Sequence, residues 1–141
     1  MNMTLPDVES ADYRQRIDEY VAAQVASARK QEILTIYAEL LDGIWQRIIP
    51  TLGRMTVVAI VERALRVSAR QHRILLHVVV TRDNGIDLGP VREHTLVIPR
   101  DELHGAFKDL IVNIVDLLVM LTGDLLVRHV VADIDTGDST R

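Results

Sequence analysis

The sequence predicts a mainly α-helical single domain, with three long helices and a small β-hairpin between the second and the third. Three observations predict this fold. Apolar residues recur at helical spacing over 31–49, an almost entirely apolar stretch covers 106–132, and an Asn-Gly pair follows a β-branched run. The chain has 141 residues, which suits one domain with one hydrophobic core. No repeat or low-complexity linker divides it, so residues 1–141 are expected to form that domain.

The first long helix is predicted over residues 31–49. Its apolar stripe consists of Ile33, Leu34, Tyr37, Leu40, Leu41, Ile44, Trp45 and Ile48. Pro50 is expected to end this helix, because proline lacks the backbone N–H that the helix needs. Residues 8–30 carry a weaker stripe, so they are expected to form either a separate helical arm or a continuation of the same helix. Residues 1–7 are expected to be disordered.

The second helix is predicted over residues 52–72, with Thr51 as its N-cap. Its middle, 57–61, is apolar on every side and should be buried. The β-branched run 56–58 admits a strand as the competing interpretation. The continuation ERALRVSAR is strongly helical, however, and favours the helix.

After residue 73, the helical spacing of apolar residues gives way to a run of β-branched residues. The β-branched run 74–81 predicts a strand, and Asn84-Gly85 predicts the turn of a hairpin, since both residues tolerate a positive φ. A return strand could include Ile86, Leu88 and Val91, although Gly89-Pro90 interrupts it. Residues 95–98 are a further candidate strand, closed by Pro99. So few short strands must pack on the helices or on a second copy of the chain.

The third long helix, predicted over 106–132 with Asp101 as a cap, is apolar almost all the way round. Only part of such a helix can be covered by two other helices and a hairpin, and a large bare patch is rare on a monomer. The sequence therefore predicts a homodimer with two-fold symmetry. The predicted interface residues are Leu110, Ile114, Leu117, Leu118, Leu121, Gly123 and Leu125. Gly123 would allow close approach of another backbone, and residues 133–141 are expected to be disordered.

Composition argues against several classes of protein. A formal net charge of −4 and an aromatic content of 4% disfavour nucleic-acid binding, which uses basic surfaces and stacking platforms. The absence of cysteine excludes thiol catalysis, disulfides and cysteine-ligated metals. The N-terminus does not resemble a signal peptide, and polar residues interrupt the best candidate span at 110–127. We therefore expect a cytoplasmic protein without a membrane span.

Arg63, Arg66, Arg70 and Arg73 fall on one side of the second predicted helix. We call these four the arginine row. Such a row could bind a phosphate or another anionic ligand. The alternative is structural: Glu62 would pair with Arg66 four residues later, and the last arginines would complement the C-terminus of the helix.

The five histidines do not occur at spacings typical of metal sites. His104-Gly-Ala-Phe-Lys108 resembles the pattern of histidine phosphotransfer domains, although the lysine comes one residue late and glycine follows the histidine directly. Residues 133–138 resemble the start of a calcium loop but place glycine where an oxygen ligand is needed. No catalytic residue, metal site or cofactor is therefore assigned.

These observations favour a non-catalytic, dimeric helical module with an interaction or regulatory role, which would bind a protein partner or an anionic ligand. Two alternatives come from other classes. One is a histidine phosphotransfer protein. The other is a small enzyme whose site lies at the dimer interface, around His94 and His104.

Overall fold

A computed structural model describes the backbone of residues 5–123 and the side chains of residues 13–123. The described part is mainly helical, as predicted, and it contains a two-stranded antiparallel sheet. Its elements are α1 (Leu5–Val25), α2 (Lys30–Leu52), α3 (Arg54–Ala69), β1 (Val79–Thr81), β2 (Gly85–Asp87), α4 (Gly89–Arg92) and α5 (Arg100–Thr122). Short 3-10 helices cover Arg73–His77 and Thr95–Val97.

The described chain has four long helices where the sequence predicted three, because α1 is a helix in its own right. One residue per turn of α1 is buried against the core, namely Tyr13, Ile17, Val21 and Val25. The spacing of four residues places these side chains on one face. The segment 8–30 is therefore neither a projecting arm nor a continuation of α2. Only a narrow stripe of α1 is apolar, which explains its weak signal in the sequence.

The end of α2 is set by Gly53 and not by Pro50. Pro50 lies in the last turn of α2, where the helix continues as far as Leu52. Gly53 then has φ +85°, a conformation that residues with a Cβ rarely adopt, and its N–H donates to the carbonyl oxygen of Ile49 over 2.8 Å. Thr51 consequently belongs to α2 and is not the cap of α3, which begins at Arg54.

The predicted hairpin is present but shorter than expected. β1 pairs antiparallel with β2 in the register Val79↔Asp87, Val80↔Ile86 and Thr81↔Gly85. In the turn, only Gly85 has a positive φ, +73°, and a Cβ built there would lie 3.4 Å from the Trp45 ring. The positive φ is therefore the reason for glycine at this position, where the hairpin lies against α2.

Two predicted strand segments are wrong. Residues 74–77 belong to the 3-10 helix that follows α3, and residues 95–97 form the second 3-10 helix. The Thr95 hydroxyl donates to the Arg92 carbonyl over 2.9 Å, which favours a turn over an extended chain. The return strand stops at Asp87, because Pro90 lies in the first turn of α4, the kind of position that suits proline.

α5 is the central helix and packs against α1, α2 and α3. Pro99, and not Asp101, is its N-cap residue, and Asp101 lies in its first turn. Its buried residues are Leu103, Ala106, Phe107, Leu110, Ile111, Ile114, Val115 and Leu118. No helix within residues 5–123 combines the length and apolar character needed to cross a membrane.

Gly123 ends α5 instead of lying inside it. Its φ is +76°, and its N–H donates to the Val119 carbonyl over 2.9 Å. A Cβ built at Gly123 would meet nothing within 4 Å, so no close backbone approach explains the glycine in the described chain. Residues 124–132 of the predicted helix lie outside the described residues, as do residues 1–4 and 133–141 of the two tails that were predicted to be disordered. Residues 5–7 of the first tail are helical instead and begin α1.

Candidate functional site

The polar strip of α5 faces neighbouring helices and orients them. Asp109 Oδ2 accepts a hydrogen bond from His72 Nε2 over 2.6 Å. One turn later, the Asn113 side-chain amide donates to the Ser68 hydroxyl oxygen over 2.7 Å. Asp109 and Asn113 thus contact His72 and Ser68, whose order along the chain is reversed, so α3 and α5 run antiparallel.

Two carboxylates join α1 to α5. The Tyr13 hydroxyl donates to Asp116 Oδ1 over 2.6 Å, and the Arg14 guanidinium donates to Asp116 Oδ2 over 2.7 Å. The hydrogen bond and charge of Asp116 raise the pKa of Arg14. Nearer the start of α5, Lys108 Nζ lies 2.9 Å from Asp18 Oδ1. These contacts dock α1 along its length.

The group with the most chemical capacity is His104 together with Tyr37. The Tyr37 hydroxyl lies 2.8 Å from His104 Nδ1 and donates to the His104 carbonyl oxygen over 3.2 Å. Tyr37 is fully buried, and its ring contacts Phe107 with the centroids 5.5 Å apart. Burial, aided by the negative charges of Asp18 and Asp109, raises the pKa of Tyr37 far above its usual range. Tyr37 therefore remains a protonated phenol.

His104 itself is partly buried on the second turn of α5. Burial lowers its pKa, and the positive charges of Lys108 and Arg100 lower it further, while Asp18 and Asp101 act in the opposite direction. Lys108 follows His104 by one turn and Arg100 precedes it by one turn, so all three occupy the same side of α5. The surroundings of His104 thus favour the neutral imidazole.

The histidines of the loop region are placed differently. His77 and His94 stack with ring centroids 3.6 Å apart and an interplanar angle of 13°. Parallel rings at this distance cover each other and do not direct two nitrogens at one metal ion. Within residues 13–123, no three His, Asp or Glu side chains converge into a group that could bind a metal.

All four residues of the arginine row are exposed. Arg63 and Arg66 lie on α3, Arg70 is its C-cap residue, and Arg73 comes after the turn at the start of a 3-10 helix. Only the first three therefore follow helical spacing. None of the four forms an ion pair or side-chain hydrogen bond within the described chain, and the expected pair of Glu62 with Arg66 is absent there.

The predicted interface residues of α5 fall into two sets. Leu110, Ile114 and Leu118 are fully buried by the chain's own helices. Leu117 is partly buried, whereas Leu121 and Gly123 are exposed at the end of α5. Leu125 lies outside the described residues. The chain's own helices therefore bury three of the residues that the sequence assigned to an interface with a second copy.

Five of the eight large apolar side chains that are exposed in the described chain lie near the ends of α5, and the other three are Val67, Leu76 and Val79. Met120 is 77% exposed and Leu121 is 62% exposed in its last turn. Met55, in the first turn of α3, is 70% exposed. Just before α5 begins, Leu96 and Val97 are 90% and 84% exposed. Since α3 and α5 are antiparallel, Met55 lies at the same end of the bundle as Met120 and Leu121.

Tyr37 and Met55 illustrate what the sequence pattern does not reveal. The pattern places Tyr37 on the core face of α2 but gives no partner for its hydroxyl. Met55 gains its significance only because the start of α3 lies at the same end of the bundle as the end of α5. A polar group on a core stripe, such as the Tyr37 hydroxyl, is the signal that could have indicated a buried partner.

Comparisons with known proteins give no relative. No protein-family model matches the chain, and no curated protein or solved structure is significantly similar to it.

Proposed function

We propose that the protein is a non-catalytic, dimeric interaction module whose two copies meet at one end of the helical bundle. We call this surface the apolar end and define it by Met55, Met120 and Leu121. The observation that supports the proposal is the exposure of two consecutive large apolar residues, Met120 and Leu121, on the central helix. A monomer would leave both in water, whereas a second copy would bury them.

The free energy available for dimerisation can be estimated from the apolar side chains that a second copy would bury. Burying a Leu or Met side chain fully is worth about 1.5–3 kcal/mol. A two-fold axis applies each contact twice, so three exposed side chains per copy provide six. Part of this gain offsets the entropy lost on association. The apolar end alone therefore supports a modest dimer, which further apolar residues would strengthen.

The sequence beyond the described residues supplies such residues. It continues from Gly123 as DLLVRHVVA, in which most side chains are apolar. Gly123, the last described residue, lies at the apolar end, and this apolar continuation of the sequence favours a second copy of this chain as the occupant. The arginine row is exposed along α3 and just after it, and it remains a candidate surface for an anionic ligand or an acidic partner.

The oligomeric state tests the proposal directly. We expect the full-length protein to sediment as a dimer at micromolar concentration. The double variant Met120→Glu/Leu121→Glu should sediment as a monomer, because it would place four carboxylates in a two-fold interface. The matched control is Leu96→Glu/Val97→Glu, which changes the same number of exposed apolar residues near the other end of α5 and should remain dimeric.

Circular dichroism should show the same helix content for both double variants, since all four side chains are exposed. A wild-type protein that sediments as a monomer at this concentration would refute the proposal. So would a dimer that survives the Met120/Leu121 change, because its interface would then lie elsewhere.

A further inference from the structure

Positive charge is concentrated on α3, although the chain as a whole is acidic. The chain has 20 acidic and 16 basic residues, and its formal net charge is −4. Residues 54–73, which cover α3 and the turn after it, contain five arginines and a single acidic residue, Glu62. α3 therefore presents a cationic surface on a chain that otherwise has an excess of carboxylates.

Three residues of the arginine row share one exposed face of α3. Arg63, Arg66 and Arg70 follow one another at intervals of three and four residues, which places them on one side of the helix. The rise of the helix separates the first from the last by about 10 Å along the axis. Val67, 39% exposed, and the exposed Ala59 lie on the same side. The face thus combines three cations with a smaller apolar surface.

Contacts within residues 13–123 do not account for these three arginines. None of them forms an ion pair or a side-chain hydrogen bond there, and Glu62 makes no ion pair with Arg66. Other arginines have partners inside the chain: Arg14 pairs with a carboxylate of α5, and Arg100 donates to backbone carbonyl oxygens. The dipole of α3 favours cations in its last turn, but Arg63 lies before that turn.

The composition of the face favours an acidic helix over a nucleic acid as its partner. A guanidinium binds a carboxylate through two parallel hydrogen bonds. A helix can place carboxylates at the same intervals of three and four residues, with an apolar side chain between them to contact Val67. A nucleic acid has negative charge along its whole length, so it would extend beyond the three arginines towards the acidic remainder of the chain.

We propose that the exposed face of α3 binds an acidic amphipathic helix of a partner protein. Arg63, Arg66 and Arg70 each bind one carboxylate, and Val67 contacts an apolar residue of the partner helix. Water excluded from this contact strengthens the ion pairs, which are weak when fully solvated. The proposal rests on the interaction role proposed above, but it does not require the dimer.

The probe is a synthetic helical peptide of about 20 residues, a length at which an isolated helix can form. It carries glutamates at positions i, i+3 and i+7 and leucines between them. In an NMR titration of the nitrogen-15-labelled full-length protein, the arginine Nε signals of Arg63, Arg66 and Arg70 should shift. A peptide of the same composition, scrambled so that the glutamates do not share a face, should bind more weakly.

The triple variant Arg63→Gln/Arg66→Gln/Arg70→Gln should weaken binding by about tenfold, the combined effect of three ordinary exposed ion pairs. The matched control is Arg29→Gln/Arg82→Gln/Arg92→Gln. It removes the same charge from exposed positions outside α3 and should bind the peptide like the wild type. Circular dichroism should show the same helix content in both variants, because all six side chains are exposed.

Replacing the three arginines of α3 by lysine tests the role of the guanidinium. This variant keeps the charge of the face but loses the paired N–H donors, so it should bind the peptide more weakly than the wild type and more tightly than the glutamine variant. A lysine variant that binds as tightly as the wild type would contradict the assignment of one carboxylate to each guanidinium.

Three other results would overturn the proposal. One is a wild-type protein whose signals do not shift at millimolar peptide. Another is a glutamine variant of α3 that binds as tightly as the wild type. The third is a DNA duplex that binds more tightly than the peptide and depends on the same three arginines, since the face would then bind nucleic acid.

Sedimentation separates this proposal from that of the dimer. The glutamine variant of α3 should lose peptide binding and sediment like the wild type. A wild type that binds the peptide but sediments as a monomer would refute only the dimer. A dimeric wild type that does not bind the peptide would refute only the docking of an acidic helix on α3.

Discussion

The two ends of α5 are held in different ways. At its start, Arg100 donates to carbonyl oxygens at the end of α1, and Tyr37 contacts His104 from the core of α2. At its end, Met120 and Leu121 project into water. One end is thus fixed by polar contacts within the chain, and the other presents apolar side chains that the described chain does not cover.

The two ends of α5 therefore differ in the kind of interaction that each can make. Directed hydrogen bonds at the start of α5 hold one histidine nitrogen and leave the other available, which a purely apolar contact could not do. Apolar burial has no direction, so the exposed residues at the other end can gain stability from any complementary surface. For this reason, polar contacts within the chain fix the first end, and we propose self-association only for the second.

The largest expected effect is on stability at the start of α5. Phe107 is fully buried against Tyr37, and Phe107→Ala should lower the free energy of unfolding by about 3–5 kcal/mol through lost burial and a cavity. Met120→Ala at the exposed end should change it by less than about 0.5 kcal/mol in the monomer. Urea unfolding of both variants at low protein concentration measures the difference. Similar losses of unfolding free energy in the two variants would contradict the contrast between the two ends of α5.

An intermediate effect is expected from the contact between α5 and α1. Arg100→Met keeps the apolar stem but removes the guanidinium that donates to Val25 and Ala28. Hydrogen bonds to a charged group are worth about 1.5–3 kcal/mol, so a loss of that order should appear on urea unfolding. Arg92→Met is the control, because the Arg92 side chain is exposed and should contribute little. Equal losses would show that Arg100 does not fasten α1.

The smallest expected effect is a pH dependence at His104. Because the folded-state pKa of His104 is lowered, mainly by burial and then by Lys108 and Arg100, the unfolded chain binds its proton more readily. Its contribution to stability is complete above the ordinary histidine pKa of 6.5 and is lost as the pH falls through the lower folded-state value. Asp18 and Asp101 oppose the shift, and Tyr37 stays protonated.

The test compares wild type with His104→Gln. Between about pH 7.5 and about pH 5, the wild type should lose more unfolding free energy than the variant, since only the wild type carries this titrating group. Other titrating groups contribute equally to both proteins and cancel in the difference. A variant that loses as much as the wild type would show that the His104 pKa is not lowered.

Much of the fold could be predicted from local patterns. The periodicity of 31–49 predicts most of α2, and Asn84-Gly85 predicts the position of the hairpin turn. The weak stripe of α1 and the turn at 95–97 could not be assigned in the same way. In α1, only one residue per turn is buried, and at 95–97 the chain lacks a neighbouring strand with which to pair.

The candidate site was predictable only in part. The motif His104 to Lys108 places a cation one turn from a histidine, which a sequence can show. The hydroxyl of Tyr37 comes from a different helix, 67 positions away, and no local pattern links the two residues. The predicted dimer surface changed for the same reason, since packing between distant helices buries Leu110, Ile114 and Leu118.

By itself, the sequence determined that most of α2, α3 and α5 is helical, because hydrogen bonding along a helix and the repeat of its apolar side chains are local properties. It also determined that α5 is central, since no other segment is so uniformly apolar. Only the tertiary structure decided which face of α5 is covered and which imidazole nitrogen is held. Both depend on contacts between distant segments, whose geometry is set by the packing of whole helices.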